Sequence, residues 1–284
     1  GIMTNQEKKQ LAIAACQIRM GIIESTHGAK AGHPGGSLSA AEMFAYLYNR
    51  ELRIDPKQPK MESRDRFVLS KGHTAPGLYS ALAYRGFFPV SDLPTLRHAD
   101  SYLQGHPNMN LVPGVDMSTG SLGQGVSCAA GMAKGAKYLN EDVNVYTLLG
   151  DGEIEEGQVW EAFMFAAHFK LDNLCVIIDL NGLQIDGPTE KVMNSAPVDA
   201  KMEAFGFNVV TIDGHDFDQI EKAFEAFHAC TGKPTCILMH TTKGKGVSYM
   251  ENVCAWHGSA PKTEQYEQGM RELEEAEKAL LANV

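Results

Sequence analysis

Two short polar segments follow consecutive apolar segments of the chain, and their residue types suit a metal ion and a phosphate. Asp151 lies in GDGEIEEG (150–157), and Asn181 begins NGLQIDG directly after LCVIIDL. A carboxylate oxygen, an amide oxygen and the backbone carbonyl of Leu183 are hard ligands of the kind that Mg²⁺ prefers. Gly152 lets a backbone N–H approach a phosphate closely. Taken singly, each segment is better explained as a turn or a strand-end cap. Their occurrence at consecutive predicted strand ends favours a site for a diphosphate and a metal ion.

Four of the ten histidines lie in glycine-containing segments that have neither a helix nor a strand pattern. Loop histidines often transfer protons or contact anions near neutral pH. The sequence has no HExxH segment and no Cys-x-x-Cys pair, so it lacks the ligand spacing of a zinc site. We interpret the four as acid–base and anion-contacting groups, although a surface or structural role explains any one of them alone: His33, His73, His106 and His257. The other six are interpreted as structural, with His215 of DGHD as a turn residue: His27, His98, His168, His215, His228 and His240.

Two further glycine-rich segments could contact a ligand. TGSLGQG precedes a segment rich in Gly and Ala, and the backbone at Gly120, Ser121 and Leu122 could meet a flat ring or an anion at a helix start. Lys243 lies in KGKG after an apolar segment, which suits a phosphate contact or a solvated turn about equally. Neither segment identifies a ligand by itself.

Alternating strands and helices must position these segments. Continuous apolar segments predict buried parallel strands, and apolar residues three and four apart predict helices. The alternation predicts an α/β fold, with a parallel β-sheet covered by helices on both faces. Gly28 is predicted to cap the first helix, and Ser37 or Ser39 the second. The predicted strands are 66–70, 144–150, 174–180, 208–213 and 234–241, and the predicted helices are 7–27, one ending near 51, 75–86, 122–139, 155–169, 198–205, 217–227 and 263–282.

Composition and charge narrow the class of protein. The 284 residues include 25 basic and 35 acidic side chains, a net charge of −10, which argues against sequence-independent nucleic-acid binding and against an acidic membrane surface. No apolar run approaches the roughly 20 residues of a membrane-spanning helix, and the first residues lack the apolar core of a secretory signal. The cysteines form no Cys-x-x-Cys pair, so reduced thiols and a cytoplasmic location are predicted. Without a flexible linker or a repeat, we predict one domain over residues 1–284, with residues 1–2 as a cloning remnant.

Several motifs in order resemble those of the transketolase family. GDGE with its downstream Asn181 resembles the signature of enzymes that use Mg²⁺ and thiamine diphosphate. The other motifs are AGHPGGSLS, DRFVLSKGHTAPGLYSAL, GHP, PGVDMSTGSLGQG and WHGSAPK, and the match extends from Ala31 to Lys262. The resemblance implies the thiamine diphosphate-binding fold, and it implies that this chain corresponds to the N-terminal domain, which holds the diphosphate.

The resemblance also implies roles for individual residues. Mg²⁺, or Ca²⁺ or Mn²⁺ in its place, would be held by Asp151, Asn181 and the carbonyl of Leu183. The implied cofactor contacts are His73, Gly120, Ser121, Leu122, Gly152, Glu156, Asn181, Ile185, Lys243 and His257, with Lys71 as a further candidate. The implied catalytic residues around the sugar hydroxyls are His33, His73, His106 and His257. Glu156 and Glu161 match acidic residues that are buried near a subunit interface in the family.

The implied reaction is transfer of a two-carbon ketol unit from a ketose phosphate to an aldose phosphate, with the cofactor as electron sink and neutral histidines moving protons. Transketolases carry a second domain that supplies an activating glutamate, an aromatic pocket and sugar-phosphate contacts, and nothing in this chain matches it. The chain therefore resembles the N-terminal subunit of a split transketolase. We expect a separate C-terminal partner subunit and an α2β2 heterotetramer; a truncated piece of a longer enzyme is the alternative.

Two other classes of function remain open at this stage. One is another thiamine diphosphate enzyme, such as a 1-deoxyxylulose-5-phosphate synthase-like or dihydroxyacetone synthase-like subunit. His106 and His257 fit transketolase better than the synthase that joins pyruvate to glyceraldehyde phosphate. The other is a non-catalytic regulatory homologue, against which the presence of Asp151, Asn181 and the loop histidines argues.

Overall fold

A five-stranded, fully parallel sheet lies at the centre of the fold, and its neighbouring strands are, in order, the first, second, third, seventh and sixth along the chain. The computed structural model describes residues 1–32, 34–184, 187–188, 197–253, 256 and 259–282, with only the backbone at 183–184 and 187–188. The strands of this sheet are β1 (Arg66–Leu69), β2 (Val145–Gly150), β3 (Leu174–Leu180), β6 (Asn208–Asp213) and β7 (Thr235–His240). A short antiparallel pair follows β3 and consists of β4 (Leu183–Gln184) and β5 (Gly187–Pro188).

Helices cover both faces of the sheet, because alternate strand residues point into two separate apolar clusters. Leu148 and Ile177 belong to the cluster on one face, and Leu149 and Ile178 belong to the cluster on the other. The helices are α1 (Asn5–Ala29), α2 (Pro34–Ser39), α3 (Ala41–Tyr46), α4 (Ala75–Arg85), α5 (Gln124–Tyr138), α6 (Gly157–His168), α7 (Val198–Ala204), α8 (Phe217–Ala229) and α9 (Thr263–Ala282). The predicted α/β class with a parallel sheet covered on both faces is therefore confirmed.

The carboxyl ends of all five parallel strands meet at one edge of the sheet. The residues that directly follow β1, β2, β3 and β7 are Ser70, Asp151, Asn181 and Thr241. Crossover connections in a parallel sheet bring loops to this edge, which is where open α/β sheets bind ligands. The polar segments that the sequence singled out are thus assembled by strand order.

Both predicted caps were wrong. Gly28 lies inside α1, which ends at Lys30 in the left-handed conformation (φ 53°). A Cβ at Gly28 would lie 2.5 Å from the carbonyl oxygen of Pro94, so this glycine allows close packing rather than a turn. Ser37 and Ser39 lie within α2, and no side chain caps α3 at Ala40. Ser39 instead hydrogen-bonds to Asp179.

The helical segment after Ala40 also differs from one continuous helix. It begins as α3 and finishes as a π-helical turn over Leu47–Glu51. In a π-helix each backbone hydrogen bond spans five residues, whereas in an α-helix it spans four. The chain between α4 and α5 contains a 3₁₀ segment, Val90–Thr95. Within the part of the chain that the structure describes, no helix combines the length and the apolar character needed to cross a membrane.

Candidate active site

A cleft of about 410 Å³ lies at the carboxyl edge of the sheet. Strand-end residues form its floor, and the loops before α5 and α6 form its sides. Most residues predicted for a cofactor site face this one cleft. Its lining is Gly36, Lys71, His73, Gly120, Leu122, Gly150, Asp151, Gly152, Glu153, Glu155, Glu156, Asn181 and Lys243.

Asp151 is held in place by backbone N–H groups on two sides. Its Oδ1 accepts from the N–H of Gly152 (2.8 Å), and its Oδ2 accepts from the N–H of Gly182 (3.0 Å). The carboxylate is 5% exposed and connects the end of β2 to the end of β3. This connection brings Asp151 to the strand end where Asn181 and the backbone of Leu183 lie.

The chemistry of this donor set fits a hard divalent ion. A carboxylate, a side-chain amide and a backbone carbonyl are all oxygen donors, and Mg²⁺ takes few protein ligands and completes its shell with phosphate and water. Across the described ranges, no group of three or more His, Cys, Asp and Glu side chains is placed to hold a metal ion. The donor set at Asp151 contains only one side chain of these four types, because its other two oxygen donors are a side-chain amide and a backbone carbonyl.

Two lysines lie almost fully buried at the floor of the cleft. Lys243 is 1% exposed and Lys71 is 2% exposed. Lys71 Nζ contacts Asp179 Oδ2 at 2.9 Å and the carbonyl oxygen of Gly36 at 3.2 Å. Buried cations favour binding of a negatively charged group, since few water molecules remain to screen them.

Asp179 is the buried counter-charge beneath the cleft, and sequence reasoning missed it. It lies in β3, is fully buried, and accepts from Ser39 Oγ (2.6 Å) and from Thr241 Oγ1. Burial alone would raise the pKa of this carboxyl, but the charge of Lys71 and these hydrogen bonds outweigh it and lower the pKa. The available signal was a single carboxylate inside the apolar run LCVIIDL, because a buried charge requires a partner.

Glu153 is a second buried carboxylate that the sequence analysis did not assign. It accepts from Ser70 Oγ (2.6 Å) and from the backbone N–H groups of Gly123 (2.8 Å) and Gly150 (3.3 Å). These contacts join the ends of β1 and β2 to the start of α5. Burial raises the pKa of Glu153, and the hydrogen bonds oppose that rise only in part.

Glycines bring the predicted histidine loops together by close backbone approach. A Cβ at Gly72 would lie 2.8 Å from the backbone nitrogen of Gly120, and a Cβ at Gly120 would lie 3.1 Å from the ring of His106. Gly120 also has a φ of 158°. The segments that carry His73 and His106 therefore both pack against Gly120, and His106 is exposed.

Gly35, of the first histidine motif, lies close to Trp256, of the last one. A Cβ at Gly35 would lie 3.0 Å from the carbonyl oxygen of Trp256 and 3.3 Å from Lys243 Cγ. Gly35 therefore packs closely against the backbone of Trp256 and the side chain of Lys243. His33, His257 and Ile185, which the sequence analysis assigned to the site, lie outside the described residues.

The rim of the cleft is open in the single chain. Glu156 lines the cleft and is exposed, and Ser121 is exposed without belonging to the lining. Glu161, expected to be buried near a subunit interface, is also exposed on α6. Gln158 of α6 donates to the carbonyl oxygen of Leu122 (2.7 Å), so α6 is tied to the rim.

This fold and this cleft define a diphosphate-binding domain of the thiamine diphosphate-dependent type. The chain belongs to the transketolase family: residues 9–277 match the family described as "Transketolase, thiamine diphosphate binding domain". It is 46% identical over 243 residues to a 6-deoxy-6-sulfo-D-fructose transketolase subunit of Clostridium sp. (strain MSTE9), with 86% of this chain and 88% of that protein covered. It is 44% identical over 257 residues to an apulose-4-phosphate transketolase subunit of Phocaeicola vulgatus, with 90% of this chain and 91% of that protein covered.

A solved transketolase structure confirms the fold over 95% of this chain. The chain superposes on transketolase from Campylobacter jejuni with a TM-score of 0.87 and 32% sequence identity, covering 95% of this chain and 45% of that one. The chain thus spans about half the length of that transketolase and nearly the whole length of the two named subunits. The predicted family, the predicted fold and the predicted transketolase subunit type are confirmed by these comparisons.

Proposed function

We propose that this chain is the cofactor-binding subunit of a thiamine diphosphate-dependent transketolase, which transfers a two-carbon ketol unit from a ketose phosphate to an aldose phosphate. The observation that carries the proposal is the convergence of Asp151, Asn181, Lys243 and His73 on one cleft at the carboxyl edge of the sheet. Family membership supports the same reaction class.

In this proposal, the floor of the cleft holds a metal ion and a diphosphate. Asp151, Asn181 and the backbone carbonyl of Leu183 hold Mg²⁺, since all three offer oxygen atoms at adjoining strand ends. Gly152 offers a backbone N–H, and Lys243, His73 and His257 offer positive charge or hydrogen bonds to the diphosphate. Gly120, Ser121, Leu122, Glu156 and Ile185 complete the contacts. Thiamine diphosphate, when bound, supplies the electron sink for cleavage of a carbon–carbon bond next to a carbonyl.

The loop histidines perform the proton transfers of the proposed reaction. Hydroxyl groups of donor and acceptor must lose and regain protons, and imidazole groups suit that exchange near neutral pH. His73 lines the cleft, and His106 lies against Gly120 at its rim. We assign His33 and His257 to the same role, from their motifs.

A partner subunit completes the proposed enzyme. The relatives named as subunits are of similar length to this chain, which supports a separate C-terminal subunit and an α2β2 assembly. Large apolar side chains exposed on the C-terminal half of α6 and just after it support a contact surface there; they are Met164, Phe165 and Phe169. We further propose that residues 1–284 form one domain and that the enzyme acts in the cytoplasm, which free cysteines among the described residues support.

The proposed substrates are anionic sugars. One relative is named for a sulfonated fructose and another for apulose-4-phosphate, so a terminal anion is common to both names. We propose sugar phosphates of the pentose phosphate type as the first candidates, and a sulfonated ketose as the second.

The direct test is reconstitution of ketol transfer. This chain would be mixed with the product of a neighbouring reading frame that carries the second half of transketolase, together with Mg²⁺ and thiamine diphosphate. Xylulose-5-phosphate, fructose-6-phosphate and a sulfonated ketose would serve as donors. We expect transfer with the pair and little turnover with either polypeptide alone. Full activity of this chain alone would contradict the two-subunit proposal, and pyruvate decarboxylation by the pair would contradict the transketolase reaction.

A further inference from the structure

His215 links a buried ion pair to the backbone that carries Lys243. Its ring Nδ1 lies 2.5 Å from Glu42 Oε1, and its Nε2 lies 2.9 Å from the backbone nitrogen of Thr242. The ring is mostly buried, with 15% of the side chain exposed. The DGHD turn after β6 therefore does more than reverse the chain direction.

The hydrogen bonds fix the form of the imidazole. The backbone N–H of Thr242 can only donate, so Nε2 must accept and carries no proton. Nδ1 then carries the proton and donates it to the Glu42 carboxylate. A carboxylate that sets the tautomer of a histidine in this way also sets the orientation of its ring.

Glu42 is itself fixed from the opposite side. Arg19 Nη2 contacts both of its carboxylate oxygens, at 2.8 and 2.6 Å, and also donates to the carbonyl oxygen of Leu38. Burial alone would raise the pKa of Glu42, but Arg19 and the hydrogen bond from His215 outweigh it and lower the pKa. The carboxylate is therefore a stable acceptor for the imidazole proton.

The segment that His215 reaches is the one that presents Lys243 to the cleft. Thr241, before Thr242, bonds to Asp179, and the N–H of Gly244 donates to the carbonyl oxygen of Gly35 (3.1 Å). Lys243 between these anchors is almost fully buried and lines the cleft. His215 supplies the acceptor for the backbone N–H directly before Lys243.

We propose that His215 is a positioning residue: as the Nδ1–H tautomer held by Glu42 and Arg19, it fixes the 241–244 backbone so that Lys243 meets the cofactor's diphosphate. This inference rests on the proposed function only for the identity of that ligand. The backbone contact itself is independent of what the cleft binds.

The tautomer is tested first on the unmodified chain. With ¹⁵N-labelled histidine, the two ring nitrogens of His215 should have chemical shifts of a neutral Nδ1–H imidazole, and the amide of Thr242 should exchange slowly with solvent. A neutral Nε2–H ring, or fast exchange at Thr242 in the folded chain, would overturn the proposal.

A matched pair of variants then separates positioning from general packing. The amide oxygen of glutamine can replace Nε2 as acceptor, whereas asparagine is too short to reach Thr242. We expect His215→Asn to lose protection of the Thr242 amide and to weaken binding of Mg²⁺–thiamine diphosphate about tenfold or more, measured by calorimetry with the partner subunit present. In His215→Gln, the exchange rate of the Thr242 amide and the affinity for Mg²⁺–thiamine diphosphate should both stay within about threefold of the unmodified chain.

The control is His228→Gln, at a histidine that bonds to Glu51 on another part of the molecule. This variant should change neither the solvent exchange of the Thr242 amide nor the binding of Mg²⁺–thiamine diphosphate. If His215→Asn and His215→Gln lose amide protection and cofactor affinity equally, His215 acts through packing alone and the proposal is overturned. If the unmodified complex binds no cofactor, the proposed function fails, while tautomer and amide exchange still decide whether His215 fixes this segment.

Discussion

At the scale of single residues, the charges beneath the cleft form close pairs in a nearly dry setting. Lys71 and Asp179 lie 2.9 Å apart, with 2% and 0% of their side chains exposed. Removing one member of such a pair costs roughly 3–5 kcal/mol, because the remaining charge stays buried without compensation. The pair therefore makes the floor of the cleft sensitive to any substitution that changes only one charge.

We expect Lys71→Met to lower the free energy of unfolding by about 3 kcal/mol, because Asp179 then remains buried beside Ser39 and Thr241 without its cation. Chemical denaturation followed by circular dichroism would measure the change. The double variant Lys71→Met, Asp179→Asn should recover more than half of the loss. Additive losses in the double variant would show that the two residues are not coupled.

The proposed metal site gives a second prediction. Asp151→Asn keeps the size of the side chain and removes the negative charge, so we expect Mg²⁺-dependent binding of thiamine diphosphate to weaken about 100-fold or more. Calorimetry at several Mg²⁺ concentrations would measure it. Asp100→Asn, at an exposed carboxylate on an irregular loop, is the control. Unchanged binding in Asp151→Asn would remove this residue from the metal set.

His228 gives the fold a defined pH dependence. A hydrogen bond to Glu51 is the largest influence and raises its pKa, while burial opposes that rise. Since the folded chain holds this proton more tightly, the pair stabilises the fold fully below the unfolded pKa of about 6.5. This stabilisation is lost as pH rises through the folded pKa.

We therefore expect His228→Gln to lower the melting temperature at about pH 5 and to have little effect at about pH 9. Thermal unfolding across this range would measure the difference. In a Glu51→Gln background, the pH dependence of the His228→Gln effect should disappear, because the carboxylate that raises the pKa is gone. A constant effect at all pH values would rule out this linkage.

At the scale of secondary structure elements, α5 shows why a glycine-rich helix cannot be interpreted from composition alone. A Cβ at Gly125 would lie 2.7 Å from the Cα of Ser70, so this glycine lets α5 begin directly on the end of β1. A Cβ at Gly131 would meet no described atom outside its own helix within 4 Å. Only the first of these two glycines is required by packing in the chain as described.

This contrast predicts opposite signs for two identical substitutions. Gly125→Ala should destabilise the fold by about 1–3 kcal/mol, because α5 must move away from Ser70 and from the Glu153 hydrogen bonds. Gly131→Ala should stabilise it by about 0.5–1 kcal/mol, because alanine favours a helix. Denaturation midpoints of the two variants would measure both effects. A stabilising Gly125→Ala would contradict the close packing of α5 on β1.

Most of the sheet could be predicted from the sequence, since continuous apolar runs such as LCVIIDL form buried parallel strands. The cleft could be predicted as well, because Asp151 and Asn181 follow two such runs. The buried partners could not: Glu153 and Asp179 acquire their roles from Ser70 and Lys71, which are distant along the chain. Gly28 shows the same limit, because only the packing of Pro94 distinguishes close contact from a helix cap.

At the scale of the whole molecule, the chain has a net charge of −10, and yet we propose that it binds an anionic ligand. The floor of the cleft contains Lys243 and the Lys71–Asp179 pair, but Asp151, Glu153, Glu155 and Glu156 also line the cleft, so the lining alone is not positive. Surface charges are screened within roughly 8 Å at physiological salt, while buried ones are screened much less. In the proposed complex, a Mg²⁺ ion held at Asp151 would therefore supply the positive charge that the anionic ligand needs, together with Lys243 and His73.

An exposed apolar surface on the C-terminal half of α6 gives the last prediction. Met164, Phe165 and Phe169 are 62%, 39% and 40% exposed, which is unusual for large apolar side chains clustered on one element. If the partner subunit covers this surface, Met164→Glu should weaken assembly about tenfold or more, since a charge would be buried at the contact. Sedimentation velocity with the partner subunit would measure it, and Leu281→Glu, at a residue 55% exposed on α9, is the matched control. Undiminished assembly in Met164→Glu would place the subunit contact elsewhere, whereas loss of assembly in Met164→Glu but not in Leu281→Glu would locate the contact on the C-terminal half of α6.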